Sequence, residues 1–164
     1  MAEGYIKEAR QKIAATLKVD PKEFIITSGG TESNNMALIG TALAAKRKGN
    51  HIITTAVEHP SVKATASFLE EQGFRITFLS VDSRGQISLE DLKKALTPDT
   101  ILVSIMYVNN EIGTIQPVEE AAKLVHATVP GAVFHVDAIQ AYGKVMIRPK
   151  QQGIDLLSVS SHKF

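Results

Sequence analysis

Lys163 carries more chemistry than any other position in this chain. It closes the segment Asp155-Leu-Leu-Ser-Val-Ser-Ser-His162-Lys163, an apolar strand-like run that leads into hydroxyls, an imidazole and an amine. The carboxyl end of a strand is where α/β proteins place reactive groups. A lysine held there can form a Schiff base with a carbonyl compound. A solvated lysine ending a strand is the plainer alternative. Three other polar groups at predicted strand ends weigh against it: Ser28-Gly29-Gly30-Thr31-Glu32-Ser33, Asn109-Asn110-Glu111, and His135-Val136-Asp137 with Gln140.

Gly29-Gly30-Thr31 follows a short β-rich run and opens a helix. Free N–H groups at a helix start attract anions, and glycines let a phosphate come close. The turn matches neither the P-loop nor the three-glycine dinucleotide pattern. A mononucleotide-like phosphate, such as that of pyridoxal phosphate, suits this shorter turn. On a strand, period two puts His135 and Asp137 on one face. Asp137 at the strand end could hold a pyridinium nitrogen protonated, or could simply cap the helix expected from Ala138. Gln140, in the first turn of that helix, could reach the same ligand. Glu58-His59-Pro60 follows another strand, and His59 there could stack on a ring, move protons, or be a plain surface residue. The asparagines at 109 and 110 could donate to a phenolic oxygen.

The elements that must hold these groups alternate regularly. A helix is predicted over 3–18, with Ile6, Ala9, Ile13 and Leu17 at helical spacing, ended by Asp20-Pro21. Another runs from Thr31 to about Lys46 with an apolar face of Met36, Ile39 and Leu43. Further helices are expected at 61–72, 88–96 and 118–126, the second opened by Ser88 with Asp91 three residues on as a capping-box variant. Strand-like runs lie at 24–27, 51–56, 75–81, 100–108, 133–136 and 155–159. Strands alternating with helices require crossovers. The expected fold is therefore α/β, three layers with a mostly parallel sheet flanked by helices.

The 164 residues suffice for one core, with 44% apolar and 21% charged residues. A net charge of +1 points to neither nucleic acid nor an anionic membrane. No apolar run approaches a membrane span, and the start lacks a signal-peptide pattern. There is no cysteine, so this chain supplies neither disulfides nor a thiolate, which favours an intracellular, cytoplasmic setting only weakly.

Taken together, Thr27-Ser-Gly-Gly-Thr-Glu-Ser33, Glu58-His59, Val108-Asn-Asn-Glu-Ile-Gly113, His135-Val-Asp137 with Gln140, and Ser160-Ser-His-Lys163 resemble the cysteine desulfurase branch of the pyridoxal-phosphate-dependent, fold-type-I class V aminotransferases. The five stretches follow the family's order with compatible spacing. The resemblance implies that Lys163 forms the Schiff base with pyridoxal phosphate and handles later proton transfers. It implies that His59 stacks on the ring and assists deprotonation, and that Asp137 pairs with the ring nitrogen. Gln140 and Asn110 would bond the phenolic oxygen; Gly30, Thr31, Ser160 and His162 would hold the phosphate. The reaction implied takes sulfur from L-cysteine and leaves alanine and a protein-bound persulfide. A homodimer, a sulfur-accepting scaffold protein and iron–sulfur cluster assembly follow from the same resemblance.

Family members are more than twice this length. Residues 1–164 therefore read as part of one large cofactor-binding domain, lacking the N-terminal arm, the sulfur-accepting cysteine and the small C-terminal domain. The chain itself is expected to be inactive. A selenocysteine lyase or another class V aminotransferase would share the lysine and aspartate; a folded, cofactor-free piece is a third reading. A metal hydrolase using His59, His135, Asp137 and His162 lacks any local ligand motif, and no metal is expected.

Overall fold

A computed structural model describes residues 2–163. Five strands form an all-parallel sheet: β1 (His51–Thr55), β2 (Arg75–Leu79), β3 (Thr100–Met106), β4 (Val133–Asp137) and β5 (Leu156–Ser158), in the order β2-β1-β3-β4-β5. Among the described residues six α-helices accompany them: α1 (Ala2–Leu17), α2 (Gly30–Ala45), α3 (Pro60–Glu71), α4 (Leu89–Ala95), α5 (Val118–Thr128) and α6 (Pro149–Gln152). β2 lies on one side of β1, and the chain then returns to place β3 on the other. This reversal is the kind of switch point outside which α/β proteins bind ligands.

Period two along the central strands builds two cores. Ile52 and Leu102 face one way, packing with Leu38, Ala42, Val62 and Leu69 of α2 and α3. Ile53, Val103, Ile105, Phe134 and Val136 face the other, against Leu92, Ala121, Ala122 and Val125 of α4 and α5 and the end of α1 at Leu17. β1 and β3 are buried along their whole length, as crossover-covered parallel strands must be.

Several local expectations are corrected. Residues 24–27 form no strand; Ile25 and Ile26 are exposed and no described strand pairs with them. The buried stripe of α2 is Gly30, Asn34, Leu38 and Ala42, while Met36 and Leu43 face out. After Asp137 the chain makes successive turns over 139–144 rather than an α-helix. β5 is a three-residue edge strand and not a buried one, its first residue exposed. Lys163 sits beyond it, at the end of a 3-10 turn (Ser161–Lys163). Of the expected capping box at α4, the forward half forms, with Asp91 N–H donating to Ser88 Oγ at 3.2 Å.

Two buried imidazoles are sewn across the sheet. His51 spans Thr100 Oγ1 and Thr77 Oγ1, each at 2.8 Å. His135 spans Ser104 Oγ at 2.8 Å and Ser158 Oγ at 2.9 Å. Both of its ring nitrogens are thus used, which removes His135 from any ligand role and ties edge strand β5 to β4 and β3.

Candidate active site at the carboxyl ends of the strands

Asp137 ends β4 and is 2% exposed. Its Oδ2 accepts Asn34 Nδ2–H at 2.8 Å, and its Oδ1 accepts the Ile139 N–H at 3.1 Å. So Asp137 does cap the turn that follows it, with one oxygen, while the other faces α2. Burial pushes its carboxyl above the usual range; the two hydrogen bonds and nearby His59 act against that. Among the described residues no lysine or arginine pairs with it.

His59 ends the β1–α3 connection and caps α3, its Nδ1 accepting the Ser61 N–H at 3.1 Å. Glu58 before it is 3% exposed and spans the switch point. Its Oε1 accepts from Thr55 Oγ1 at 2.8 Å and from the Met106 N–H at 2.9 Å, linking the ends of β1 and β3. Burial drives its carboxyl up to about 8, so it is largely protonated at neutral pH. Its Oε2 and Asn34 Oδ1 are buried with no hydrogen-bond partner among the described residues.

The phosphate-type turn lies at the start of α2. Gly29 is extended, and a Cβ there would meet only open space. A groove of about 1150 Å³ has Ser28–Thr31 and Ser160–His162 among its lining residues. Ser160 Oγ and His162 Nδ1 lie 2.7 Å apart. At Gly30 a Cβ would stand 2.2 Å from Ile139 Cδ1, so a side chain there requires that methyl to move. Gly30 is helical, so no positive φ is at issue. We expect Gly30→Val to cost about 1–3 kcal/mol of stability through overpacking. Shortening Ile139 to alanine in the same chain should recover part of the loss in urea unfolding, because touching residues couple.

The structure thus joins Asp137, His59, Glu58, Asn34 and Ser61, and separately Gly30, Thr31, Ser160 and His162. Asn110 is exposed in the turn after β3, where buried Asn109 is the tethered residue, donating to Val57 O at 2.9 Å. Gln140 accepts from Lys144 Nζ at 3.2 Å, and Lys163 is exposed. No hydrogen bond among the described residues ties these three to Asp137 or His59. Sequence reasoning missed Asn34 and gave Glu58 no role. The signal for Asn34 was a polar residue on the four-residue spacing Gly30, Leu38, Ala42; for Glu58, a carboxylate just past the strand-like run 51–56.

These buried groups set a pH optimum for stability. Burial lowers His51 to about 4 and His135 to about 3. The unfolded chain takes up their protons below about 6.5 while the folded one does not, so stability is lost as pH falls from there. Glu58 acts oppositely: the folded state keeps a proton that the unfolded chain releases above about 4.5, so stability is lost as pH rises from there to about 8. Between 4.5 and 6.5 the two effects oppose one another. Urea midpoints should therefore fall steeply below pH 4.5 and gently between 6.5 and 8. In Glu58→Gln the alkaline decline should shrink, with Asp137, which burial also raises, supplying what remains; if it persists unchanged, Glu58 is not its cause.

The family model for aminotransferase class V matches residues 1–164. A Clostridium botulinum protein named cysteine desulfurase IscS is 51% identical over 156 residues, covering 95% of this chain and 39% of that protein. The mitochondrial cysteine desulfurase of Candida albicans is 51% identical over 158 residues, 96% of this chain and 32% of its own length. The chain thus spans about two fifths or less of the length of these curated relatives. Among solved structures, a NifS-like protein superposes with a TM-score of 0.96 at 42% identity, over 99% of this chain and 45% of that one. Another, described as SspA in complex with cysteine, gives 0.93 at 40% identity, over 99% and 46%. A strand order, a buried strand-end carboxylate and a sequence match that runs the full length agree: this chain belongs to the aminotransferase class-V family.

Proposed function

We propose that residues 1–164 are the cofactor-binding core of a cysteine desulfurase, which takes sulfur from L-cysteine and leaves alanine and a persulfide. Class V aminotransferases and cysteine desulfurases are pyridoxal phosphate enzymes. The observation that carries the reading is Asp137: a buried carboxylate given two N–H donors but, among the described residues, no lysine or arginine, at a strand end beside a switch point. A buried charge needs a counter-charge or a proton, and a protonated pyridine nitrogen supplies one. The second group of residues fits the other end of the same cofactor. Helix-start amides, the Ser160 hydroxyl and His162 are donors suited to a phosphate, and the space beside Gly29 is open.

When bound, the cofactor supplies an electron sink for the carbanion formed at the substrate's α-carbon. The chain's residues do the rest. Asp137 holds the ring nitrogen's proton, Gly30, Thr31, Ser160 and His162 hold the phosphate, and Asn110 and Gln140 serve the phenolic oxygen. His59 covers the ring, and Lys163 Nζ tethers the cofactor and moves the α-proton. The desulfurase names of the relatives support the reaction; a homodimer, a cytoplasmic setting and a scaffold protein that receives the sulfur for iron–sulfur assembly rest on the family resemblance and complete the proposal. Among the described residues no helix is long and apolar enough to cross a membrane.

The test is cofactor titration followed by borohydride reduction and peptide mapping. A yellow band that reduction abolishes, with the label on Lys163, is the expected result. No band, or a label spread over surface lysines, would remove the assignment.

A further inference from the structure

β1 stops at Thr55 while β3 runs on to Met106. The Met106 N–H, past the end of its neighbour strand, donates to Glu58 Oε1 at 2.9 Å, and Glu58 belongs to the loop that leaves β1. The loop that leaves β3 makes the reverse connection: Asn109 Nδ2 donates to Val57 O at 2.9 Å. Each segment thus gives one side chain to the other's backbone across the switch point, and both are buried, Glu58 at 3% and Asn109 at 7% exposure. Asn109 Oδ1 accepts the Glu111 N–H at 2.9 Å and the Ile112 N–H at 3.0 Å, and Nδ2 also reaches Met106 Sδ at 3.6 Å. Both hydrogens and both lone pairs of its amide are engaged, which leaves none for a ligand. Its main chain closes the same loop, the N–H donating to Thr114 O at 2.9 Å and the carbonyl accepting the Gly113 N–H at 3.0 Å. A buried polar network satisfied at every position rigidifies what it joins. The residues that these loops present are His59, just after Glu58, and Asn110, just after Asn109.

We propose that Glu58 and Asn109 are positioning residues that join the loops after β1 and β3 into one unit, so that His59 and Asn110 meet a ligand as a pair. The joining stands on the hydrogen bonds; only the identity of the ligand, pyridoxal phosphate, rests on the proposed function. In such a unit, loosening one stitch is felt in the other loop, and the two loops share the cost of ordering around a ligand. Neither side chain touches the ligand itself. Their contribution is to keep two contacts that are far apart in sequence at one fixed separation.

Amide hydrogen exchange of the ¹⁵N-labelled 164-residue chain reads the coupling in both directions. Glu58→Leu should speed exchange about tenfold at the Glu111 and Ile112 N–H groups, whose acceptor is Asn109. Glu58→Gln, which keeps an oxygen for Thr55 and Met106, should leave them at the wild-type rate. Asn109→Asp keeps the oxygen for Glu111 and Ile112 but loses the donor to Val57 O. It should speed exchange at the Val62 and Lys63 N–H groups, which bond His59 O in the other loop. The Ile53 and Val103 amides, deep in the sheet, report whether each variant remains folded. Wild-type rates in the opposite loop for both folded variants overturn the inference. Pyridoxal phosphate titration on the same samples adds a second readout. Asn109→Asp should weaken binding, and by less when His59 is already replaced by asparagine; equal losses in the two backgrounds overturn the pairing. If the wild-type chain binds no cofactor, the proposed function falls while exchange still decides the coupling. If it binds but the opposite loop ignores both variants, the coupling falls and the function stands.

Discussion

Asp137→Asn should lower pyridoxal phosphate affinity at least tenfold while leaving the fold in place. The carboxylate meets one N–H at each oxygen, from Asn34 at 2.8 Å and from Ile139 at 3.1 Å. An amide has one oxygen, so the variant satisfies one donor and turns its own NH₂ toward the other. Leaving a buried donor unpaired costs about 1–3 kcal/mol. Removing an uncompensated buried charge offsets part of that, because burial already holds this carboxyl high. Stability is therefore expected to change modestly. Cofactor binding has no such offset. A hydrogen bond to a charged group contributes about 1.5–3 kcal/mol, which is about ten- to a hundredfold in affinity. The ring nitrogen also loses the counter-charge that keeps it protonated, so the residual complex should show an altered absorption band. Fluorescence titration and the visible spectrum check both. Wild-type affinity with a wild-type spectrum would mean that Asp137 only caps the turn at Ile139.

The sheet was legible because its strands are short apolar runs cut by turn residues, and all five were expected within a few residues of where they lie. What escaped was whatever a partner decides. Phe24 to Thr27 has strand-forming residue types but no neighbouring strand, so composition outran pairing. On α2 the face chosen from Met36, Ile39 and Leu43 was the more hydrophobic one, yet the buried stripe contains Gly30 and Asn34. Burial there follows the site: Gly30 lies against Ile139, and Asn34 donates to Asp137. Asp137, His59 and the Gly29–Thr31 turn were visible because each pairs a reactive type with a strand or helix end. Glu58 and Asn34 were not, since their roles consist of contacts with residues 48 and 103 positions away. No spacing rule reaches that far.

The 164-residue chain, saturated with pyridoxal phosphate, should form no persulfide and release sulfur from L-cysteine no faster than its Lys163→Ala variant. Sulfur transfer needs a thiolate to attack the substrate's sulfur, and the chain contains 0 cysteines. None of the hydroxyls or imidazoles near Asp137 substitutes for it. Ser61 is engaged at the His59 cap, and Ser160 and His162 are engaged with each other. Substrate positioning is the second obstacle. Lys163 is exposed, and neither it nor Asn110 is tied to the Asp137 cluster, so the groups meant to meet at one carbon are not held together by these residues alone. Loss of orientation can remove several powers of ten from a rate. Slow proton exchange at the α-carbon of cysteine is compatible with this, because it asks only for the electron sink and an amine. The assay therefore separates three readouts on one sample: α-proton exchange into deuterated buffer, alanine, and sulfide, the last read after a thiol reductant is added, because sulfur that leaves with alanine needs two electrons to become sulfide. Exchange that depends on Lys163, with alanine and sulfide at background, is the expected outcome. Lys163-dependent alanine and sulfide together would show that the sulfur leaves without a cysteine acceptor, and the division of labour argued for this core would be wrong.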